Sequence, residues 1–182
     1  RVATVGEVAD AHAGEPLAVP PSFYDEAIAA IADAAGRDCV VEHSIQTNGV
    51  LIDDIWCTVF KKHGIRVGLS IDGPAALHDA CRVTRHGRGT HARLMRGVDR
   101  LRAHGIEFHA IAVVTDRTLR DVDAFILFFE ALGATEVGCN VEEIEGIHVQ
   151  SSVDGLEAAY RAFLERLMQR AGREGSTLQL RE

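Results

Sequence analysis

The sequence predicts an α/β protein in which parallel strands alternate with helices. Apolar segments with the two-residue period of a strand recur along the 182 residues. Each is followed by a stretch with the 3.6-residue period of a helix, and that stretch ends at a glycine. Strands joined through helices form right-handed crossovers and therefore a parallel sheet. The pattern stops at about five strands, fewer than a complete eight-stranded barrel needs, so we expect an open sheet or a partial barrel.

The predicted elements follow one another in regular order. Strands are expected at 39–47, 65–71, 106–115 and 136–142, with a weaker one near 2–9, and helices at 22–35, 53–63, 90–104, 118–132 and 153–171. Ser22 with Asp25 has the spacing of a capping pair, and Asp53 places negative charge at a helix start. Gly64 and Gly172 stand where a helix is expected to end in a left-handed residue.

Each of the later helices carries an apolar stripe that would pack against a sheet. The stripes are Ile55, Val59 and Phe60; Leu94, Val98 and Leu101; Leu119, Val122, Ile126 and Phe129; and Leu156, Tyr160, Phe163 and Leu167.

Three predicted strands place polar or small residues on one face. Parallel strands covered by helices on both sides are normally apolar on both faces. Burying so many polar groups without partners would cost roughly a few kcal/mol each. Two interpretations remain open: a polar lumen filled by a ligand or by water, and a sheet with one face open to solvent. The residues concerned are Glu42, Ser44, Gln46 and Asn48; Arg66, Gly68, Ser70 and Asp72; and Gly138, Asn140 and Glu142.

The composition is that of a soluble globular protein and argues against two classes of partner. A formal net charge of −8 leaves no basic excess to neutralise phosphates, so we expect no nucleic-acid partner. No apolar run approaches the ~20 residues of a membrane span, so we expect no membrane partner. The four cysteines lack the short spacings of zinc sites and disulfide frameworks, and we predict reduced, mostly buried thiols: Cys39, Cys57, Cys81 and Cys139.

Polar motifs recur along the chain, several of them at predicted strand ends, where ligands bind in α/β sheets and barrels. They are His12-Ala13-Gly14-Glu15-Pro16-Leu17, Gln46-Thr47-Asn48-Gly49, Gly68-Leu69-Ser70-Ile71-Asp72-Gly73-Pro74, His78-Asp79 with Arg82, Gly87-Arg88-Gly89-Thr90, Phe108-His109 and Asn140-Val141-Glu142-Glu143-Ile144-Glu145-Gly146. In this order and spacing, from about residue 12 to residue 152, the sequence resembles the radical S-adenosylmethionine (SAM) maturases with SPASM-type extensions. It is most like the maturases of glycine-rich-repeat (GRRM-type) ribosomal peptides, to which the anaerobic sulfatase maturases are related.

The resemblance implies a partial (β/α)6 barrel with SAM lying across the carboxyl ends of the strands. Residues 1–182 would form the central part of that radical SAM core domain, from about the second strand onward. Ser70 and Arg82 match positions that hold the amino-acid moiety of SAM, and a guanidinium can bond both oxygens of a carboxylate. The complete set of implied SAM-binding residues is Ala13, Gly14, Glu15, Pro16, Asn48, Ser70, Asp72, Arg82 and Val114.

Within that set the resemblance implies different contacts. Residues 13–16 match the family's GGEP segment, which meets the amino group of SAM. Asn48 and Asp72 are expected to reach the ribose or the substrate, and Val114 is expected to pack on the adenine.

One family feature is missing from the sequence. The family holds a [4Fe–4S] cluster with three cysteines, usually as CxxxCxxC, and no such motif or cysteine-rich SPASM region occurs here. We therefore expect no metal ligand in this chain, which would be either a piece of a longer enzyme or a degenerate protein. We also expect the chain alone to be inactive.

The resemblance further implies a function. We expect a cytoplasmic enzyme that modifies a ribosomally made precursor peptide by carbon–carbon cross-linking through a 5′-deoxyadenosyl radical, with flavodoxin or ferredoxin as electron donor. The alternatives are formation of formylglycine in a sulfatase and a degenerate SAM- or peptide-binding remnant. Candidate catalytic residues are Asp72, Glu142 and Glu143.

Simpler interpretations stand beside these. Glu142 and Glu143 are also compatible with an ordinary solvated loop, and residues 72–74 with a plain turn. His109 could face the lumen or fill a structural place in its strand. The sequence of residues 87–92 fits the G-x-G-x-x-A pattern of dinucleotide-binding sites, but the segment does not follow a predicted strand. We therefore expect a loop before a helix, which could contact an anion.

Overall fold

The computed structural model describes residues 2–4 (backbone only), 14–36, 39–142 and 151–181. Parallel strands alternate with helices, so the predicted α/β class is confirmed. The chain divides into two compact units. The first consists of residues 1–70 and 92–108, and the second of residues 71–91 and 109–182.

The described residues form the following strands and helices. The strands are β1 (Val2–Thr4), β2 (Val40–Glu42), β3 (Ser44–Thr47), β4 (Arg66–Ser70), β5 (Phe108–Val114) and β6 (Val137–Val141). The helices are α1 (Pro21–Ala35), α2 (Asp54–His63), α3 (Ala75–Cys81), α4 (His91–Ala103), α5 (Asp116–Arg120), α6 (Val122–Leu132) and α7 (Glu157–Ala171), and a 3-10 helix at Pro16–Ala18 precedes α1.

Strand pairing is parallel in both units. In the first unit β1 pairs with β2, and β3 pairs with β4 in the register Ser44↔Arg66. The predicted strand 39–47 is therefore two strands, each with its own partner. In the second unit β5 pairs with β6 in the register Ala110↔Val137.

Helix α2 supplies much of the core of the first unit. The acid predicted at this helix start, Asp53, also caps the helix: its side chain accepts a hydrogen bond from the Trp56 amide at 2.9 Å. The left-handed Gly64 predicted at the other end is confirmed. Val59 and Phe60 are buried as predicted. Ile55 is 62% exposed, contrary to the predicted stripe, because the packed face is shifted by one residue.

The start of α1 differs from the prediction. The helix begins at Pro21, directly after Pro20, and its first turn has no side-chain cap. Ser22 and Asp25 therefore do not form the expected capping pair. The Asp25 carboxylate instead accepts hydrogen bonds from Lys62 at 2.7 Å and His63 at 2.5 Å. The proline at the first helical position has no amide proton that needs a partner, and the Phe23 amide donates to the Pro20 carbonyl at 3.0 Å.

Helix α4 packs tightly in the first unit. Its predicted stripe of Leu94, Val98 and Leu101 is fully buried, which confirms that prediction. Gly97 lies against the turn that follows β3: a Cβ at this position would stand 2.4 Å from the carbonyl oxygen of Gly49. Only a glycine allows this approach of helix and turn.

The core of the second unit is aromatic. The predicted helix 118–132 is two helices, because Asp121 ends α5 and caps α6. Phe125 lies 4.6 Å from Phe129 and 5.4 Å from Phe163 of α7, measured between ring centroids, and all three rings are buried. Gly172 ends α7 with φ −77°, so the left-handed residue predicted there is absent.

Two further expectations meet the structure here. None of the four cysteines, all of them among the described residues, forms a disulfide. Only Cys57 is buried, so the prediction of mostly buried thiols is wrong; Cys39 and Cys139 are half-buried and Cys81 is exposed. Among the residues that the structure describes, no helix combines the length and the apolar character needed to cross a lipid bilayer.

Candidate functional site

Glu15 ties the segment before α1 to the end of β3. One carboxylate oxygen accepts hydrogen bonds from the Thr47 hydroxyl and from the Leu17 amide, the latter at 3.2 Å. The other oxygen accepts the Asn48 amide at 2.9 Å. These three donors turn the Glu15 side chain toward the protein. The Glu15 carbonyl in turn accepts the Ala18 amide at 3.0 Å.

Tyr24 supports the same segment from α1. Its hydroxyl donates to the Pro16 carbonyl at 3.1 Å, and its ring meets Trp56 edge-on with centroids 5.3 Å apart. Burial, and then the negative charge of Glu15, raise the pKa of Tyr24 above its usual range, so the phenol remains a hydrogen-bond donor.

Ser70 and Gln46 meet between neighbouring strands of the first unit. The Gln46 side-chain amide donates to the Ser70 hydroxyl oxygen at 3.1 Å. The hydroxyl thus acts as the acceptor in this contact, and its own proton is available for an acceptor on a ligand. Both side chains lie on the half-buried polar face noted in the sequence.

In the second unit, Asp72 and Arg82 form a two-point ion pair. The Arg82 Nε lies 2.5 Å from one oxygen of the carboxylate, and Nη2 lies 3.0 Å from the other. Asp72 also accepts the Val113 amide at 2.9 Å. The Asp72 side chain is 8% exposed, whereas that of Arg82 is 30% exposed. The guanidinium is therefore held by its Nε edge, and Nη1 takes no part in the pair.

The segment that carries Asp72 is also a turn. Gly73 has φ +121°, a conformation that side chains rarely adopt, and Pro74 follows as the cap of α3. The plain-turn interpretation of residues 72–74 therefore fits the backbone, and a functional role of Asp72 stays a prediction. Both oxygens of the Asp72 carboxylate are engaged, by Arg82 and by the Val113 amide, and its role in binding or catalysis stays a prediction.

His78 and Thr90 complete this cluster. His78 is 1% exposed, and its Nδ1 accepts the Asp72 amide at 3.3 Å. Its Nε2 lies 3.0 Å from the Thr90 hydroxyl, which donates to the Arg82 carbonyl at 2.9 Å. Burial lowers the pKa of His78 to about 4, although nearby Asp72 opposes this shift. His78 is therefore neutral at physiological pH.

Packing explains the glycine at position 89 in the loop of residues 82–90. Val83 and Gly89 form an antiparallel bridge, and a Cβ at Gly89 would stand 2.1 Å from the Asp79 carboxyl carbon. Asp79 accepts the amide of His91, the first residue of α4, at 2.8 Å. A carboxylate already occupies this helix start, so the expected contact with an anion there is not supported.

Glu142 joins the end of β6 to the chain before α7. Its side chain accepts the Ser152 amide at 2.6 Å, and its carbonyl accepts the Ser151 hydroxyl at 2.9 Å. These contacts favour a structural role, and the catalytic role of Glu142 stays a prediction. Two other candidates, Ala13 and Glu143, lie outside the described residues.

Strand β5 places the remaining candidates on its two faces. Val114 is fully buried, as are Ala110 and Ala112 on the same face. The Val114 side chain therefore has no exposed surface, and its contact with the adenine stays a prediction. His109 and Val113 share the half-buried face, and both interpretations of His109 remain open.

Comparison with known proteins identifies the family. The model of the radical SAM superfamily matches residues 8–129. The chain belongs to the radical SAM superfamily. A Synechocystis protein of uncharacterized function (sll1766) is 42% identical over 94% of this chain and 44% of its own length. The serine-type anaerobic sulfatase-maturating enzyme of Bacteroides thetaiotaomicron is 35% identical over 84% of this chain and 38% of its own length.

A solved structure supports the fold of this radical SAM chain. The structure described as anSMEcpe with bound AdoMet superimposes with a TM-score of 0.80 at 25% identity, covering 93% of this chain and 46% of that one. The predicted match to a partial radical SAM barrel is thereby confirmed. The chain spans less than half the length of these relatives.

The described side chains suit one cofactor of the radical SAM family, SAM, but not the other, the [4Fe–4S] cluster. Ser70 offers a hydroxyl proton and Arg82 offers guanidinium protons, the chemistry that a carboxylate such as that of SAM requires. A [4Fe–4S] cluster is not matched. In the part of the chain that the structure describes, no group of three or more His, Cys, Asp or Glu side chains could hold a metal ion.

Several residues of these clusters were not predicted as site residues. They are Tyr24, Gln46, Thr47, His78 and Thr90. All except Tyr24 stand inside the motifs that carry the resemblance. Their partners are up to 32 residues away along the chain, so local spacing carries no signal for them.

Proposed function

We propose that this chain forms the SAM-binding core of a radical SAM maturase that acts on a peptide or protein substrate. The observation that carries the proposal is the Asp72–Arg82 pair. A guanidinium fixed through Nε by a buried carboxylate, with its other edge open, is suited to bind the carboxylate of a small zwitterion. The family match and the sulfatase-maturating relatives support the same function.

We assign the SAM-binding roles by match to the family's motifs. The match assigns the carboxylate of the amino-acid moiety to Arg82 and to Ser70. It assigns the ammonium group to the backbone of residues 14–16, where the Glu15 and Pro16 carbonyls also accept the Ala18 amide and the Tyr24 hydroxyl. Glu15 acts through its three hydrogen bonds, which fix the backbone of that segment. Asn48 remains the candidate for the ribose. Val114 remains the motif-matched candidate beside the adenine, and Val113, on the half-buried face of β5, is a second candidate.

The proposal gives these residues the binding and orientation of SAM. The hydrogen abstraction that is characteristic of the family requires three cysteine ligands, and the four cysteines of this chain do not supply them. Catalysis is therefore proposed for the native protein, acting in the cytoplasm with a flavodoxin- or ferredoxin-type electron donor.

Two reactions are candidates for the native protein. Carbon–carbon cross-linking of a precursor peptide is supported by the resemblance of residues 140–146 to the GRRM-type maturases. Formation of formylglycine is supported by relatives named as serine-type sulfatase-maturating enzymes, 35% and 38% identical to this chain. Both reactions remove two hydrogen atoms from the peptide when the oxidised residue is serine, so the mass of the product does not separate them.

The first experiment measures SAM cleavage by the anaerobically purified native protein. With a low-potential reductant, the proposal predicts that 5′-deoxyadenosine accumulates. SAM binding without cleavage would favour a non-catalytic binding protein, and absence of binding would overturn the proposal.

A second experiment separates the two reactions. Peptides encoded beside the gene and a serine peptide from a sulfatase active site are incubated with the enzyme and then with a hydrazine. An aldehyde that the hydrazine traps identifies formylglycine. A product that has lost two hydrogens without trapping identifies a cross-link.

A further inference from the structure

We propose that His78 and Thr90 are positioning residues that hold Arg82 and Asp72 in the geometry needed to bind the carboxylate of SAM. This inference rests on the proposed function, because it requires that Arg82 bind the carboxylate of SAM.

The four residues form a closed ring of hydrogen bonds. The Asp72 amide donates to His78 Nδ1 at 3.3 Å, and His78 Nε2 lies 3.0 Å from the Thr90 hydroxyl. That hydroxyl donates to the Arg82 carbonyl at 2.9 Å. The Arg82 guanidinium then closes the ring on the Asp72 carboxylate. Backbone and side chain of both ion-pair partners are thus fixed by the same network.

The ring permits one arrangement of protons. Thr90 has a single hydroxyl proton and gives it to the Arg82 carbonyl, so the hydroxyl oxygen must accept from His78 Nε2. Nε2 therefore carries the imidazole proton, and Nδ1 keeps the lone pair that accepts the Asp72 amide. A doubly protonated imidazole would set its Nδ1–H against that amide proton and open the ring.

The surroundings of His78 keep it neutral. Its neighbouring charges are Asp72 and Asp79, which favour protonation, and Arg82 and His91, which oppose it. Burial outweighs the two carboxylates, since the side chain is 1% exposed. His78 therefore keeps its proton on Nε2 and its lone pair on Nδ1, as the ring requires, across the physiological pH range.

Removal of the Thr90 hydroxyl would break the ring at one point. The Arg82 carbonyl would keep only the Thr90 amide, at 3.2 Å, and the buried Nε2–H of His78 would lose its acceptor. A buried donor without a partner is costly, so the imidazole would turn or shift and release the Asp72 amide. The guanidinium would then lose its fixed orientation.

The test compares Thr90→Val, which removes the hydroxyl at constant shape, with Thr90→Ser, which retains it. Arg82→Ala serves as reference. Dissociation constants for SAM are measured by equilibrium titration of the native protein. We expect Thr90→Val to weaken binding about tenfold, the equivalent of one lost hydrogen bond between the misplaced Arg82 guanidinium and the SAM carboxylate. Thr90→Ser should bind within about twofold of the unchanged protein.

The outcomes separate this inference from the proposed function. If Arg82→Ala weakens binding and Thr90→Val does not, the positioning role is wrong and the proposed function stands. If neither substitution alters the affinity, the proposed role of Arg82 falls as well.

A second measurement, by NMR, is made on the native protein and so leaves the ring of hydrogen bonds intact. Imidazole ¹H–¹⁵N spectra of the native protein are assigned by the signal that His78→Asn removes. At pH 7 we expect a neutral ring with the proton on Nε2. A proton on Nδ1, or a doubly protonated ring, would overturn the inference even if the Thr90 variants failed to fold.

Discussion

Arg82 grips the buried carboxylate of Asp72 at two points, with Nε 2.5 Å from one oxygen and Nη2 3.0 Å from the other. Asp72 begins the turn before α3 and Arg82 follows the end of that helix. The pair therefore clamps both ends of α3 together, because the two residues are ten positions apart yet share one contact. The same contact leaves one edge of the guanidinium for a ligand.

Asp72→Asn tests the strength of this clamp. The substitution leaves Arg82 without a charged partner in a site where Asp72 is 8% exposed. We expect the free energy of unfolding to fall by about 2–3 kcal/mol, somewhat less than for a fully buried pair because Arg82 is 30% exposed. Urea denaturation followed by circular dichroism measures the change.

The matched control is Asp99→Asn. Asp99 also pairs with an arginine, Arg102, but its side chain is 70% exposed and its partner's 43%. Solvent screens this pair, so the control should unfold at the same urea concentration as the unchanged protein. Equal losses in the two variants would contradict a special role for the Asp72–Arg82 pair.

The lowered pKa of His78 leads us to expect a loss of stability in mild acid. Its pKa is lowered to about 4 in the folded protein, whereas the unfolded chain has the ordinary value near 6.5. Protons therefore bind the unfolded state first, and stability falls as pH drops from about 6.5 to about 4. Between pH 7 and pH 5 the contribution of His78 amounts to about 2 kcal/mol.

The measurement is urea unfolding at pH 7 and pH 5 for the unchanged protein and for His78→Gln. The variant has no titrating group at this position, so its stability should change less with pH, whatever its absolute stability. An identical pH dependence in both proteins would show that other groups cause the acid sensitivity.

Gly97→Ala tests the approach of α4 to the turn after β3. The added methyl would stand 2.4 Å from the carbonyl oxygen of Gly49, which cannot move without the turn. Alanine is the better helix former by about 1 kcal/mol, yet overpacking of about 1–3 kcal/mol should outweigh this gain. We expect a lower free energy of unfolding and weaker amide protection at Asn48.

Gly138→Ala provides the comparison. The nearest atom to an added Cβ at Gly138 lies 3.8 Å away, and its φ is not positive. This variant should unfold within about 0.5 kcal/mol of the unchanged protein. If Gly97→Ala were equally harmless, the close approach of α4 would have no energetic consequence.

The sequence predicts the elements that depend on periodicity and local chemistry. The buried stripe of α4 and the acidic start of α2 at Asp53 are confirmed, because both depend on residues a few positions apart. Helix α3 was not predicted. It is only seven residues long and follows Pro74, so its sequence has the turn signals of residues 72–74 and too few turns to show a period.

The candidate site was predicted less completely than the fold. Motif matches indicated Ser70, Asp72 and Arg82, but not that Arg82 is held by Asp72. The ring through His78 and Thr90 depends on how a helix and a loop fold back on the chain, which no spacing rule describes. The adenine contact of Val114 stays a prediction, because β5 is apolar along most of its length and its sequence does not show which face is the more exposed.

Equilibrium titration of the native protein with SAM, comparing the unchanged protein with Arg82→Ala, tests the central claim most directly. Arg120→Ala, which removes an exposed arginine paired with Asp116, is the control. Loss of charge-assisted hydrogen bonds to the SAM carboxylate should weaken binding by about tenfold to a hundredfold in Arg82→Ala and leave the control unchanged. Equal affinities in all three proteins would contradict the assignment of Arg82 and, with it, the proposed SAM site.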